Sequence, residues 1–209
     1  MKFSIILNTR GRANLLENLL DNIQEKTNNI SDIEVLVSAD IDDLETSKLL
    51  FEEQLVKNRW PFLWFEVIQR ERNLHVRLNN LCFRSKGKYI FVNNDDSFIE
   101  TQDWDCIAYD ELEKWFNKDN IKYGYVECTS VDKVSYYSSF PILSRIDVDI
   151  LGHFITPKLP GLGGDVYLWR LFSGEHGGIG RAVYVPITIN HMLHQSVTQI
   201  LNCDETAAE

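Results

Sequence analysis

Apolar runs broken by short polar turns divide the first hundred residues into alternating strands and helices. FSIIL (Phe3–Leu7) is continuously apolar, as a strand covered on both faces should be. The polar turn NTRGR follows. Leu15, Leu16, Leu19, Leu20 and Ile23 then recur at helical spacing and form one stripe. IEVLVS (Ile33–Ser38) reads as a second strand, followed by ADIDD and a helical stretch to about Asn58. WFEVI (Trp64–Ile68) is a third strand, Leu74–Ser85 a helix, and YIFV (Tyr89–Val92) a fourth strand. Alternation of this kind predicts a mostly parallel sheet with helices on both faces.

The second half is patterned differently. A helix is predicted over Trp104–Phe116, and KYGYVEC and FPILS read as strands. GHFITPKLPGLGGD and SGEHGGIGR are rich in Gly and Pro and read as loops, with the helical run VYLWRLF between them. AVYVPITIN (Ala182–Asn190) is a final strand that leads into HMLH, and the tail CDETAAE reads as loosely ordered. Ligands of a parallel α/β sheet bind beyond the carboxyl ends of its strands. Here those ends are polar: NTRGR, SADIDD and NNDDS.

Composition narrows the chemistry. The 209 residues, 44% hydrophobic, suffice for a well-buried domain. The net charge of −10 argues against a surface that grips nucleic acid through its phosphates, but a local cation can still reverse the field at one site. Cys82, Cys106, Cys128 and Cys203 are widely spaced and form no metal-binding or disulfide pattern, so reduced thiols are expected. The opening MKFSIILNTRGR has too short an apolar run for a signal peptide, and no segment reaches membrane-spanning length. A soluble cytoplasmic protein is the expectation.

Several residue groups are candidates for chemistry. In NNDD, the adjacent carboxylates Asp95 and Asp96 at a strand end can hold Mg²⁺ or Mn²⁺, whose hard character suits oxygen ligands. The same four residues are also ordinary turn formers. HMLH places His191 and His194 three apart, where either could ligate a metal or simply face solvent. Asp165, after the glycines of GLGGD, is placed to cap a helix or to act as a general base at its start. Arg10 and Arg12 can pair with phosphate or lie on the surface.

Taken in order, these pieces resemble the GT-A fold glycosyltransferases, particularly the large inverting family that uses nucleotide-sugar donors. That family opens with a strand, a Pro-Thr-Tyr-Asn-Arg type turn and an amphipathic helix. Asn8-Thr9-Arg10-Gly11-Arg12 fills the turn and keeps Thr9 and Arg12. The family's second strand ends in paired aspartates. Ala39 and Asp40 match them, with Asp42 nearby. Asn79 matches an Asn in the helix before the metal strand, and GKYIFVNNDD resembles the run into the DxD metal motif, giving Asn94-Asp95-Asp96. Asn94 stands where the family has an acid. Gly164-Asp165 corresponds to the family's Glu-Asp pair without its Glu, and His191, then His194, to the His that completes the metal sphere. FPILSR with LGHF resembles the acceptor-side segment.

The resemblance runs from Phe3 to His194 and implies a single α/β GT-A (Rossmann-like) domain over 1–209. It would comprise a nucleotide-binding half (1–100), an acceptor and catalytic half (101–195) and a tail (196–209). The sheet would be mostly parallel, with helices on both faces and a small acceptor-side subregion. The implied donor is a nucleotide sugar, UDP-linked by preference or GDP-linked. The acceptor is a saccharide, protein or small molecule rather than nucleic acid, and no transmembrane segment is expected. Thr9, Arg12, Asp40, Asn79, Asn94 and Asp95 would contact the donor. Asp96, His191 and His194 would hold Mn²⁺ or Mg²⁺, with Asp165 as base and loops 160–164 and 173–181 as lids. Two alternatives fit the same pattern: a nucleotidyltransferase, for which NTRGRAN lacks the usual Gly-rich loop with Lys, and an inactive sugar- or partner-binding module.

Overall fold

The computed structural model describes residues 1–71, 73–119, 123–128, 139–159, 163–174 and 178–192. In the first half, β1 (Phe3–Thr9), β2 (Ile33–Asp40), β3 (Leu63–Ile68) and β4 (Tyr89–Val92) alternate with helices. These are α1 (Ala13–Lys26), α2 (Leu44–Leu49, continued by a π-helical stretch Leu50–Val56) and α3 (Leu74–Arg84). β1 runs parallel to both β2 and β4, and β2 runs parallel to β3.

The continuous apolar run of β1 is explained by its two covered faces. Phe3, Ile5 and Leu7 pack with Leu16, Leu19, Leu20 and Ile23 of α1, whereas Ile6 joins Leu78, Leu81 and Cys82 of α3 in a second core. Burial pushes the Cys82 thiol up to about 12, which leaves it protonated at neutral pH. The chain enters β4 through Gly87, where a Cβ would lie 2.5 Å from the Ser4 backbone nitrogen, so glycine is required by close approach.

The second half adds β5 (Ser97–Ile99), α4 (Trp104–Asp119), β6 (Tyr123–Cys128), β7 (Ile142–Ser144), α5 (Arg145–Leu151), α6 (Gly164–Phe172) and β8 (Ala182–His191). All eight strands form one sheet in the order β3-β2-β1-β4-β7-β6-β8-β5. β7 is antiparallel to β4 and β6, and β8 is parallel to β6 but antiparallel to β5. The sheet is therefore mixed, which corrects the mostly parallel expectation. Parallel neighbours need a crossover of about a dozen residues, and the first half supplies a helix for each. In the second half β7 enters beside β4 in the opposite direction, and β5 pairs with β8 at the far edge of the sheet.

β5 and α5 were not anticipated from the apolar pattern. α5 nevertheless carries a readable signal: Ser144 Oγ accepts from Asp147 N at 3.2 Å at its start, and Gly152 (φ 72°) ends it. No helix among the described residues is long and apolar enough to cross a membrane.

Candidate functional site

Parallel pairing brings the ends of β1, β2 and β4 to one edge, with Thr9 opposite Ala39 and Ile6 opposite Val92. Beyond β4 the chain turns sharply: Ser97 N donates to Asn94 O at 3.2 Å, and Ser97 Oγ donates to Asn93 Oδ1 at 2.6 Å. This turn buries Asp95 and Asp96 while leaving Asn94 partly exposed.

Both carboxylates are held by groups from other elements. Thr9 Oγ1 donates to Asp95 Oδ2 at 2.7 Å. Arg12, at the start of α1, places one guanidinium nitrogen between the two acids, 2.8 Å from Asp95 Oδ1 and 2.9 Å from Asp96 Oδ2. The fourth oxygen, Asp96 Oδ1, lies 3.2 Å from His191 Nε2. β5 sets that contact, because Ser97 pairs with His191 in antiparallel register and Met192 N donates to Asp96 O at 2.9 Å.

The two acids differ in basicity. Burial raises the Asp95 carboxyl above its usual range despite Arg12 and Thr9. Burial acts on Asp96 in the same direction, but the hydrogen bond and charge of His191, with Arg12, more than offset it and hold Asp96 below that range. Asp96 is thus the more acidic of the pair.

Two buried carboxylates and an imidazole, residue types that a divalent cation accepts as ligands, meet here, and the Arg12 guanidinium lies between the two acids. Among the described residues no group of three or more acidic, histidine or cysteine side chains is arranged to hold a metal ion. Substrate oxygens or water would have to complete the sphere. His194 lies outside the described residues.

At the end of β2, Asp40 is clamped on both sides. Arg77 of α3, itself buried, bonds one oxygen, and Arg10 donates to the other at 2.9 Å. Arg77 also donates to Ser38 Oγ at 3.0 Å, while Arg10 reaches the exposed Asp42. Sequence reasoning missed Arg77, a charged residue on an otherwise ordinary helix. Asn79 bonds backbone: its amide donates to Ile155 O at 2.7 Å, and its carbonyl accepts from Phe154 N at 2.8 Å. It therefore anchors the 154–155 segment.

Asp165 stands in the first turn of α6, after Gly163 (φ 87°), and its Oδ1 accepts from Val166 N at 2.8 Å. Burial raises its pKa, partly countered by backbone N–H groups, His75 and a Ser139 hydrogen bond. The next residue, Phe140, packs edge-on against the His191 ring with centroids 5.3 Å apart. Adjacent residues thus link the base candidate to the acidic cluster. Ser139 carried no sequence signal, and Phe140 was marked only as the first residue of the FPILSR segment. Residues 160–162 and 175–177 of the Gly-rich loops lie outside the described residues.

No protein-family model and no curated protein sequence matches this chain. Solved structures do. A mannosyltransferase, PcManGT from Pyrobaculum calidifontis, in complex with GDP-Man and Mn²⁺, superposes with a TM-score of 0.68 at 17% identity, covering 90% of this chain and 56% of its own. TarS (residues 1–349) from S. aureus superposes with a TM-score of 0.63 at 13% identity, covering 91% of this chain and 60% of its own, and is also solved with UDP. The fold is that of GT-A glycosyltransferases. The chain spans a little over half the length of these neighbours.

Proposed function

We propose that the protein is a glycosyltransferase that moves a sugar from a UDP- or GDP-linked donor to an acceptor hydroxyl, with inversion at the anomeric carbon. The observation that carries this reading is the convergence of Thr9, Arg12, Asp95, Asp96 and His191 at one sheet edge, tied through Ser139 and Phe140 to Asp165.

In this reading the nucleotide lies across the carboxyl ends of β1 and β2, with Thr9, Arg12 and Asp40 near base and ribose. Arg10 and Arg77 hold Asp40 in place. Mn²⁺ or Mg²⁺ held by Asp96 and His191, with Asp95 alongside, would supply charge neutralisation for the departing diphosphate. Arg12 adds positive charge to the same place. Asp165 takes the proton of the acceptor hydroxyl, whose oxygen bonds to the anomeric carbon opposite the leaving group. The bond from that carbon to the diphosphate oxygen breaks, and the diphosphate leaves with its electron pair. The acceptor is a saccharide, protein or small molecule; of the segment 129–163 read from the sequence as its binding region, residues 129–138 and 160–162 lie outside the described residues.

A thermal-shift series with UDP and GDP, each with and without Mn²⁺, tests the reading. Stabilisation by one nucleoside diphosphate, larger with Mn²⁺, is expected. No stabilisation by any nucleotide would contradict it and favour an inactive binding module.

A further inference from the structure

We propose that His75 is the positioning residue of the acceptor side: from the space that a side chain at position 164 would fill, it braces the first turn of α6 and turns its Nε2 toward the backbone that carries Asp165. The inference deepens the glycosyltransferase reading and rests on it.

His75 is the second residue of α3 and only 4% exposed. Its backbone N–H is capped by Asn73 Oδ1 at 3.0 Å, and Asn73 Nδ2 in turn donates to Pro157 O at 2.9 Å. The ring Nδ1 lies 3.0 Å from Leu159 O. A carbonyl oxygen only accepts, so Nδ1 carries a hydrogen, and Nε2 is the ring nitrogen that faces position 164. These bonds stitch the start of α3 to the segment that runs toward Gly163.

On the other side, a Cβ built on Gly164 would lie 2.8 Å from His75 Nε2 and 2.8 and 2.9 Å from the Cδ1 and Cγ2 carbons of Ile155. Ile155 is itself fixed, since its N–H donates to Asn79 Oδ1 at 3.2 Å and its carbonyl accepts from Asn79. Position 164 therefore cannot carry a side chain without displacing the imidazole or Ile155. The glutamate that the family resemblance places beside the base would have to displace His75 or Ile155, and the polar group at that spot comes from α3 instead.

The groups that bear on Asp165 are its own backbone N–H and that of Val166, the Ser139 hydroxyl, the Tyr123 hydroxyl of β6 and His75. Of these, His75 is the one that can take a positive charge, and its charge favours the Asp165 carboxylate against the burial that opposes it. A side chain that only filled space would lack that effect.

The test uses the full chain with His75→Ala and His75→Gln. The Asp165 carboxyl is followed by ¹³C NMR titration, its signal assigned by loss in Asp165→Asn. Nucleoside diphosphate release from UDP-GlcNAc and GDP-mannose is followed with a panel of methyl glycosides. The expected result is that the Asp165 midpoint moves higher by about half a pH unit or more in both variants, as loss of a nearby cation requires. Acceptor KM is expected to rise several-fold while donor KM holds. Gln keeps an N–H for Leu159 O, so it reports the missing charge even if the Ala variant fails to fold. An unchanged midpoint in a folded variant overturns the proposal. If the wild type releases no diphosphate from either donor, the glycosyltransferase reading fails, and the titration still decides whether His75 acts on Asp165.

Discussion

His191 Nε2 lies 3.2 Å from Asp96 Oδ1 because β5 and β8 pair antiparallel with Ser97 opposite His191. A three-residue strand thereby fixes a contact between side chains far apart in sequence and gives the acidic turn its imidazole.

His191→Ala removes both the hydrogen bond and the charge that hold Asp96 low, so the Asp96 carboxyl should titrate higher than in the wild type. The lost bond to a buried carboxylate costs about 1–3 kcal/mol by urea unfolding. Mn²⁺ affinity, read by calorimetry on the nucleotide-bound protein, should fall at least tenfold. Unchanged Mn²⁺ affinity would remove His191 from the metal site.

Arg12 is the cation between Asp95 and Asp96, and Arg12→Ala leaves two buried acids without it. Breaking a buried ion pair from one side costs about 3–5 kcal/mol. Millimolar Mn²⁺ should restore part of that loss, because a divalent ion can take the same place between the carboxylates. A variant as stable as the wild type without metal would show that Arg12 does not balance the pair.

Asp165 works as a base only when ionised, and its pKa is raised above the ordinary 3.8 by burial. Turnover should therefore fall, as pH drops, at a midpoint above 3.8. The linkage has the opposite sign for stability. A raised folded-state pKa means the native protein holds the proton more tightly, so the group's favourable contribution is present at low pH and lost as pH rises through the folded value. At pH 7 the buried carboxylate is a cost. Asp165→Asn should then keep nucleotide binding, match or exceed the wild-type Tm, and lose transfer by at least 10²-fold. Normal transfer by this variant would exclude Asp165 as the base.

Much of this was legible in the sequence. β1 and β4 were readable because both faces are covered and their runs are continuously apolar, and α1 because its stripe repeats at helical spacing. Thr9, Arg12, Asp95 and Asp96 were readable as polar residues just past such strands. What was not legible depends on contacts distant in sequence. β5 is too short to show a period, and without it the antiparallel reversal has no signal. Arg77 reads as a solvated helix residue until Asp40 is brought against it from β2. Asn79 reads as a ligand-binding amide, yet the structure commits it to the backbone of Phe154 and Ile155. Gly164 reads as loop chemistry, and only the packing of His75 and Ile155 shows that a larger residue would have to displace them.

The most direct measurement is nucleoside diphosphate release across a panel of UDP- and GDP-linked sugars in the presence of Mn²⁺, with Asp165→Asn beside the wild type. Release from one donor class by the wild type, rising with added acceptor and abolished in Asp165→Asn, is the predicted result. No release from any donor, or equal release by both proteins, would contradict a glycosyltransferase with Asp165 as its base.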